Sequence, residues 1–208
     1  MSEKTIVAYV GRHGQTTLNK DGCFRGNKNP PLDETGIRQA HQLAKLFSNI
    51  PVSHIFCSDK VRATNTAEII AAAKGNEIHK SESLRALNVG DFSGQKRDAE
   101  SEAALQQYLD SPDEQIPGGE SLNDFKARIR PCIQDAIDLY LECGEPPLLV
   151  AHSSVVHETG SMIFGDHKSV LVEPGGAIAI YMSDGKLGAE AIFKPIHAQP
   201  GNRAETVS

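Results

Sequence analysis

Long hydrophobic runs are missing from this chain of 208 residues. No apolar stretch reaches the roughly 18 residues that a membrane-spanning helix needs, and only 39% of the residues are hydrophobic. Both argue against a membrane partner or a membrane-spanning chain. The opening residues Met1-Ser2-Glu3-Lys4 run straight into a strand pattern, with no charged-then-apolar secretory segment. The expected location is the cytoplasm. Paired cysteines are missing too. Cys23, Cys57, Cys132 and Cys143 form no C-x-x-C, and none stands at zinc-ligand spacing with a histidine. They read as four reduced thiols, with Cys57 acting as a small hydrophobe in a buried strand. Basic charge is not in excess, since the net charge is −6. That argues against a nucleic-acid partner but leaves room for a local basic pocket. No internal repeat and no low-complexity segment interrupts the chain. Its length suits one domain with a real core.

What is present is an alternation of strand and helix patterns. Residues 5–10 read as a buried strand, and 14–32 as a loop rich in Gly, Asn and Pro. A helix is expected over 34–48, where Ile37, Ala40, Leu43, Ala44 and Phe47 keep helical spacing. A short strand over 54–57 follows, then a helix over 59–73 ended by Gly75-Asn76. Residues 77–80 suit a further short strand, 84–96 a loop and 98–110 an acidic helix. Ser121, with Asp124 three residues on, resembles a capping box. It opens the longest helical pattern, with Leu122, Phe125, Ile129, Ile133, Ala136, Ile137, Tyr140 and Leu141 on one face. Pro131 should kink or interrupt that helix. Residues 147–151 form a third buried strand, followed by a short helix. Residues 177–182 and 189–193 flank Asp184-Gly185, a hairpin signal. At a sheet edge that hairpin could pair with a second subunit, so a homodimer stays open. The domain is expected over 1–194, with a polar, poorly ordered tail over 195–208.

Such alternation argues for a parallel α/β sheet, in which ligands bind beyond the carboxyl ends of the strands. Residues at those ends converge on one chemistry. Arg12, His13 and Gly14 follow the first strand. Arg62 lies in the first turn of the helix after the second strand. His152 follows the third strand, and Ser153 and Ser154 open the next helix. Arginine offers a planar fork for phosphate oxygens, and histidine a nucleophile or an acid/base group. Glycine lets a ligand approach the backbone, and a helix N-terminus adds N–H groups and a positive dipole end. A phosphoryl group is the natural guest of two arginines and two histidines. Taken singly, Arg62 could be a surface ion pair and His152 a polar cap on the sheet. Their joint placement at three strand ends favours chemistry. His41, His54, His79, His167 and His197 read as non-catalytic. His157 follows His152 by five residues, not a metal-ligand spacing on one helix face, so no metal site is expected.

These segments resemble the histidine phosphatase superfamily, the phosphoglycerate mutase-like fold. Arg12-His13-Gly14-Gln15-Thr16-Thr17-Leu18-Asn19 is similar to its R-H-G-E-T-x-x-N signature. Phe24-Arg25-Gly26 and then Pro31-Leu32-Asp33-Glu34-Thr35-Gly36 resemble its next segment, and Ser58-Asp59-Lys60-Val61-Arg62-Ala63-Thr64-Asn65-Thr66-Ala67 the one after. Gly118-Gly119-Glu120-Ser121 and Ala151-His152 match later motifs. The resemblance implies a three-layer α/β sandwich, its mostly parallel central sheet flanked by helices. It implies that His13 accepts the phosphoryl group while Arg12, Arg62 and His152 hold its oxygens. It further implies substrate contacts from Asn19, Gln15, Arg25, Gly26 and the backbone near Ser153. No cofactor and no metal are expected, because cationic donors can stand in for one. The partner is a small phosphorylated metabolite.

The chain also departs from the family pattern. The segment Leu84-Arg85-Ala86-Leu87-Asn88-Val89-Gly90-Asp91 aligns where a proton-donating glutamate usually stands, and that position is Ala86. Gln15 likewise replaces a glutamate. A missing general acid costs roughly 10²–10⁴ in rate. Asp91, in the same loop, is the first substitute, with Glu82 and Glu120 behind it. A solvated loop carboxylate is the plainer reading of Asp91. The leading expectation is a metal-independent phosphomonoester hydrolase working through a phosphohistidine on His13. Alternatives are a phosphoglycerate mutase-type phosphotransferase and a weakly active or non-catalytic phosphate-binding member. The stretch between Gly94 and Pro117 is short and acidic, and is expected to form a lid that disfavours bisphosphates.

Overall fold

The computed structural model describes residues 3–165 and 170–196. In chain order its elements are β1 (Thr5–Arg12), α1 (Thr17–Lys20), α2 (Glu34–Phe47), β2 (Ile55–Ser58), α3 (Val61–Lys74) and β3 (Ile78–Ser81). After them come α4 (Ala99–Asp110), α5 (Leu122–Cys143), β4 (Leu148–Ala151), α6 (Ser153–Phe164), β5 (Ala177–Ser183) and β6 (Lys186–Phe193). The strands form one sheet in the order β3-β2-β4-β1-β5-β6. β3, β2, β4 and β1 run parallel, whereas β5 pairs antiparallel with both β1 and β6. The mostly parallel sandwich expected from the sequence is therefore the fold observed.

Two apolar layers fill the space on either face of the sheet. On one, Leu43, Ala44 and Phe47 of α2 and Ala67, Ile70 and Ala71 of α3 pack against Tyr9, Ile55, Cys57, Leu148 and Val150. On the other, Phe125, Ile129, Ile133 and Ile137 of α5 and Val155 and Val156 of α6 pack against Ala8, Val10, Leu149 and Ile178. A register shift in the β1–β5 ladder between Ile6 and Ala8 puts both Val7 and Ala8 on the α5–α6 side. One extra residue in a ladder does this, because side chains alternate strictly along an unbroken strand. The helix starts are set by side chains. Asp33 accepts the Gly36 N–H at the head of α2, and Ser121 accepts the Asp124 N–H at the head of α5.

Some expectations differ from what is seen. α5 runs unbroken through Pro131. Pro131 and Ala127, whose carbonyl loses its usual donor, are both on the exposed face, so water can take the place of the missing N–H. The loop expected over 14–32 contains α1, nucleated by a reciprocal cap in which Thr16 accepts the Asn19 N–H and Asn19 accepts the Thr16 N–H. Ile37 and Leu141, placed on buried faces by periodicity, are 44% and 64% exposed. At the start of the expected tail, Pro195 is buried and Ile196 exchanges hydrogen bonds with the Gln42 side chain. His167, His197 and the rest of the tail lie outside the described residues. No described helix is long and apolar enough to cross a membrane.

Candidate active site

β1, β2 and β4 end side by side, and their first residues beyond the sheet build the site. The His13 N–H donates to the Ala151 carbonyl, extending the β1–β4 pairing by one residue, and the His13 carbonyl accepts the Gly175 N–H. The Gly14 N–H then donates to Thr66 Oγ1 of α3 at 3.1 Å. A side chain at position 14 is forbidden by packing: a Cβ there would lie 2.3 Å from the Gly36 carbonyl oxygen. The backbone of His13 and Gly14 is thus clamped between β4, the turn at Gly175, and helices α2 and α3.

His13 is 1% exposed and His152 2%, with ring centroids 5.1 Å apart. Nδ1 of His13 lies 2.6 Å from the Gly14 carbonyl oxygen, which can only accept, so the neutral ring carries its proton there. Nε2 is left with a lone pair, and Arg62 Nε–H donates to it at 3.2 Å. Arg62 has no exposed surface and gives Nη1 to the Lys28 carbonyl, while its Nη2 has no partner among the described residues. His152 sets Nε2 2.9 Å from Ser58 Oγ. That hydroxyl already accepts the Lys60 N–H and can donate its own proton to Nε2. With Ser58 as that donor, the His152 proton sits on Nδ1, a buried nitrogen that has no partner among the described residues. Arg12 gives Nη1 to the Val172 carbonyl, and its buried Nε has no partner among the described residues. Unpaired buried donors of this kind are costly unless a ligand meets them.

The charges push in the same direction. Burial, and then the Arg62 and Arg12 guanidiniums, hold the His13 imidazole well below the ordinary histidine range. Burial and the Arg62 charge do the same to His152. Both rings are therefore neutral at neutral pH, as a nitrogen nucleophile requires. Burial lowers Arg12, Arg25 and Arg62 to about 10, with the neighbouring guanidiniums adding repulsion. A doubly charged phosphoryl group would relieve that repulsion.

Outward from this floor opens a cavity of about 200 Å³. Arg62, His152 and Ser153 line its inner end, Arg25 and Arg97 its cationic side, and Phe24, Leu87, Val89, Leu105 and Leu109 its apolar wall. Gly26 lines it as well, with a positive φ of 45° and so little room that a Cβ would lie 2.1 Å from Ser93 Oγ. Among the described residues, no three His, Cys, Asp or Glu side chains are grouped to hold a metal ion.

Of the residues singled out in the sequence, Arg12, His13, Arg62 and His152 come together, and Arg25, Gly26 and Ser153 line the cavity beside them. Gln15 does not join them, because its side chain donates to Asp33 and its N–H to Gln39, tying β1 to α2. Asn19 spends both lone pairs of Oδ1 on Thr16 and has only its amide N–H groups left to offer. Asp91 is exposed and points at Gly118, outside the cavity lining. Glu82 pairs with Arg85, and Glu120 is gripped by Arg128 while accepting the Asn88 N–H. The acidic lid also fails to face inward. Of α4, the apolar Leu105 and Leu109 line the cavity, and Arg97 stands beside them. Three contributors were not assigned roles from sequence. They are Ser58, which orients His152; Thr66, which holds Gly14; and Arg97. Ser58 and Thr66 belong to the segment 58–67 that resembles the family, whereas nothing local marks Arg97.

Residues 8–169 match the family model of the histidine phosphatase superfamily, branch 1. The chain belongs to this superfamily. Two relatives in it carry the name probable phosphoglycerate mutase GpmB. The one from Cronobacter sakazakii is 34% identical over 77% of this chain and 75% of its own length. The one from Yersinia pestis is 35% identical over 71% and 69%. Among solved structures, a phosphoglycerate mutase from Bacillus anthracis superposes with a TM-score of 0.75 at 25% identity, covering 92% of this chain and 93% of its own. A mycobacterial glucosyl-3-phosphoglycerate phosphatase gives 0.74 at 22% identity, covering 89% and 97%; at that identity the likeness concerns the fold alone. Proteins of this fold thus include both a phosphatase and a mutase.

Proposed function

We propose that the protein is a phosphomonoester hydrolase that works through a phosphohistidine on His13, without a metal, on a small phosphorylated metabolite. The observation that carries this reading is the state of His13. Its Nδ1 proton is held by the Gly14 carbonyl, and its Nε2 lone pair faces the Arg62 guanidinium. Phosphoryl transfer needs in-line placement and charge stabilisation more than elaborate covalent machinery. Nε2 attacks phosphorus as the bond to the substrate oxygen breaks. Arg62, Arg12 and His152 Nδ1–H hold the equatorial oxygens, and the first N–H groups of α6 add a positive helix end. Water then releases phosphate from His13. The apolar wall of Leu87, Val89, Leu105 and Leu109 favours an organic leaving group over a second phosphoryl group. The four free thiols fit a reducing compartment such as the cytoplasm.

The second reading is a mutase. It is favoured by the names of the relatives and by Arg25 and Arg97, which could hold a second anionic group of the substrate. Turnover of p-nitrophenyl phosphate and 3-phosphoglycerate, with chelator present and His13→Ala alongside, separates the readings. Release of inorganic phosphate that survives chelation and disappears in the variant is the expected result. Conversion of 3-phosphoglycerate to 2-phosphoglycerate would instead establish the mutase. No turnover of either by the wild type would sink both.

A further inference from the structure

If His13 takes the phosphoryl group, as proposed above, the departing oxygen needs a proton. No carboxylate among the described residues lines the cavity around Arg62 and His152. The position facing it from the loop after β3 is Ala86. Glu120 is locked to Arg128, Glu82 to Arg85, and Asp91 is turned to Gly118. The guanidiniums that line it, held at about 10 for Arg25 and Arg62, are too weak as acids to supply protons near neutrality.

One other titratable group lines the same cavity. His157 stands on α6, on the face that also presents Ser153 and Ser154. Ser154 Oγ accepts the Leu87 N–H at 3.1 Å, which fixes the apolar wall next to it. Ser153 and His157 are about 6 Å apart along the helix axis. Helical side chains lean towards the N-terminus, which in α6 is the end at His152 and Ser153. His157 also lines a second cavity of about 360 Å³, which shares Leu87, Leu109 and Ser154 with the first. It therefore stands where the organic part of a substrate would leave the phosphate pole. The charged groups that share these two cavities with it include Arg62, Arg25 and Arg97, Asp110 from α4, and Glu158 on its own helix, which is held by Arg130 of α5.

We infer that His157 is the proton donor to the leaving group and the base for the water that follows. In the first step the His13 Nε2–P bond forms and the P–O bond to the substrate breaks. The imidazolium of His157 gives its proton to that oxygen, so an alcohol departs and a neutral imidazole remains. In the second step a water oxygen bonds to phosphorus and its proton passes to His157. The N–P electron pair returns to His13, and inorganic phosphate leaves.

A leaving-group series on the full chain tests this. Wild type and His157→Gln are compared on p-nitrophenyl phosphate and on alkyl phosphates, from about pH 5 to about pH 9. His157→Asn serves if the glutamine variant is not recovered folded. The alkyl kcat/KM is expected to fall by about 10²–10⁴ and the aryl value by less than about tenfold, because a good leaving group needs little protonation. The alkaline limb of the alkyl profile should vanish in the variant, and His157→Glu should restore part of the rate with the limb moved to lower pH. Equal losses for both substrate types, or a limb that survives the substitution, would overturn the assignment. So would a wild type that forms a phosphoenzyme from p-nitrophenyl phosphate but spares alkyl phosphates, although the His13 reading would then stand. Absence of any phosphoenzyme or turnover would overturn the His13 reading itself.

Discussion

Acid should unfold this protein through its own active site. His13 and His152 are buried, and both imidazoles are held well below their ordinary value of 6.5 by burial and by Arg62. In the unfolded chain both take up protons as the pH falls through 6.5, while in the fold they stay neutral. A depressed folded value means that stability is fully present above the unfolded value and is lost as the pH drops. Each such group contributes a slope of about 1.4 kcal/mol per pH unit. Below pH 6.5 two such imidazoles steepen the loss towards about 2.8 kcal/mol per pH unit for as long as both rings stay neutral in the fold, a large part of a typical domain's stability. Urea unfolding at a series of pH values, read by circular dichroism, measures this. A His13→Gln, His152→Gln double variant should show a much flatter dependence over the same window, whatever its stability at pH 7. Phosphate should oppose the acid loss in the wild type, because a bound anion favours the protonated rings. Parallel pH curves for wild type and double variant would refute the reasoning, since the carboxylates common to both would then account for the whole effect.

Three further outcomes follow from particular contacts. Arg62→Lys keeps the charge but loses the fork that reaches both His13 Nε2 and the Lys28 carbonyl; kcat should fall about 10²–10³, and a change confined to KM would contradict the assigned role. Ser58→Ala removes the partner of His152 Nε2; kcat should drop about 10–100-fold with KM little changed, and an unaltered kcat would mean that His152 needs no orienting. Gly14→Ala puts a methyl 2.3 Å from the Gly36 carbonyl oxygen; a loss of about 1–3 kcal/mol in urea unfolding is expected, together with lower turnover from a displaced His13.

Periodicity located the strands and the long helices because each is a local repeat with one or two buried faces. It misjudged Ile37 and Leu141, since periodicity cannot know how wide a neighbour's footprint is. It expected a kink or an interruption at Pro131, and the solvent-facing position of that residue makes an interruption unnecessary. The lid misled for a similar reason. A count of acidic residues between Gly94 and Pro117 says nothing of direction, and α4 turns Leu105 and Leu109 inward.

The sequence by itself determined which groups could do chemistry and at which strand ends they stand. Arg12, His13, Arg62 and His152 each follow an apolar run or open the helix after one, and strand ends are where a parallel sheet exposes its residues. Tertiary structure decided everything that depends on direction and burial. Only the strand order β2-β4-β1 brings those three ends together. Only the Gly14 carbonyl settles which His13 nitrogen keeps the proton. Only packing turns Asp91 outward, commits Gln15 to Asp33, and leaves His157 on the cavity wall. Side-chain direction and desolvation arise from residues far apart in the chain, and no local pattern records them.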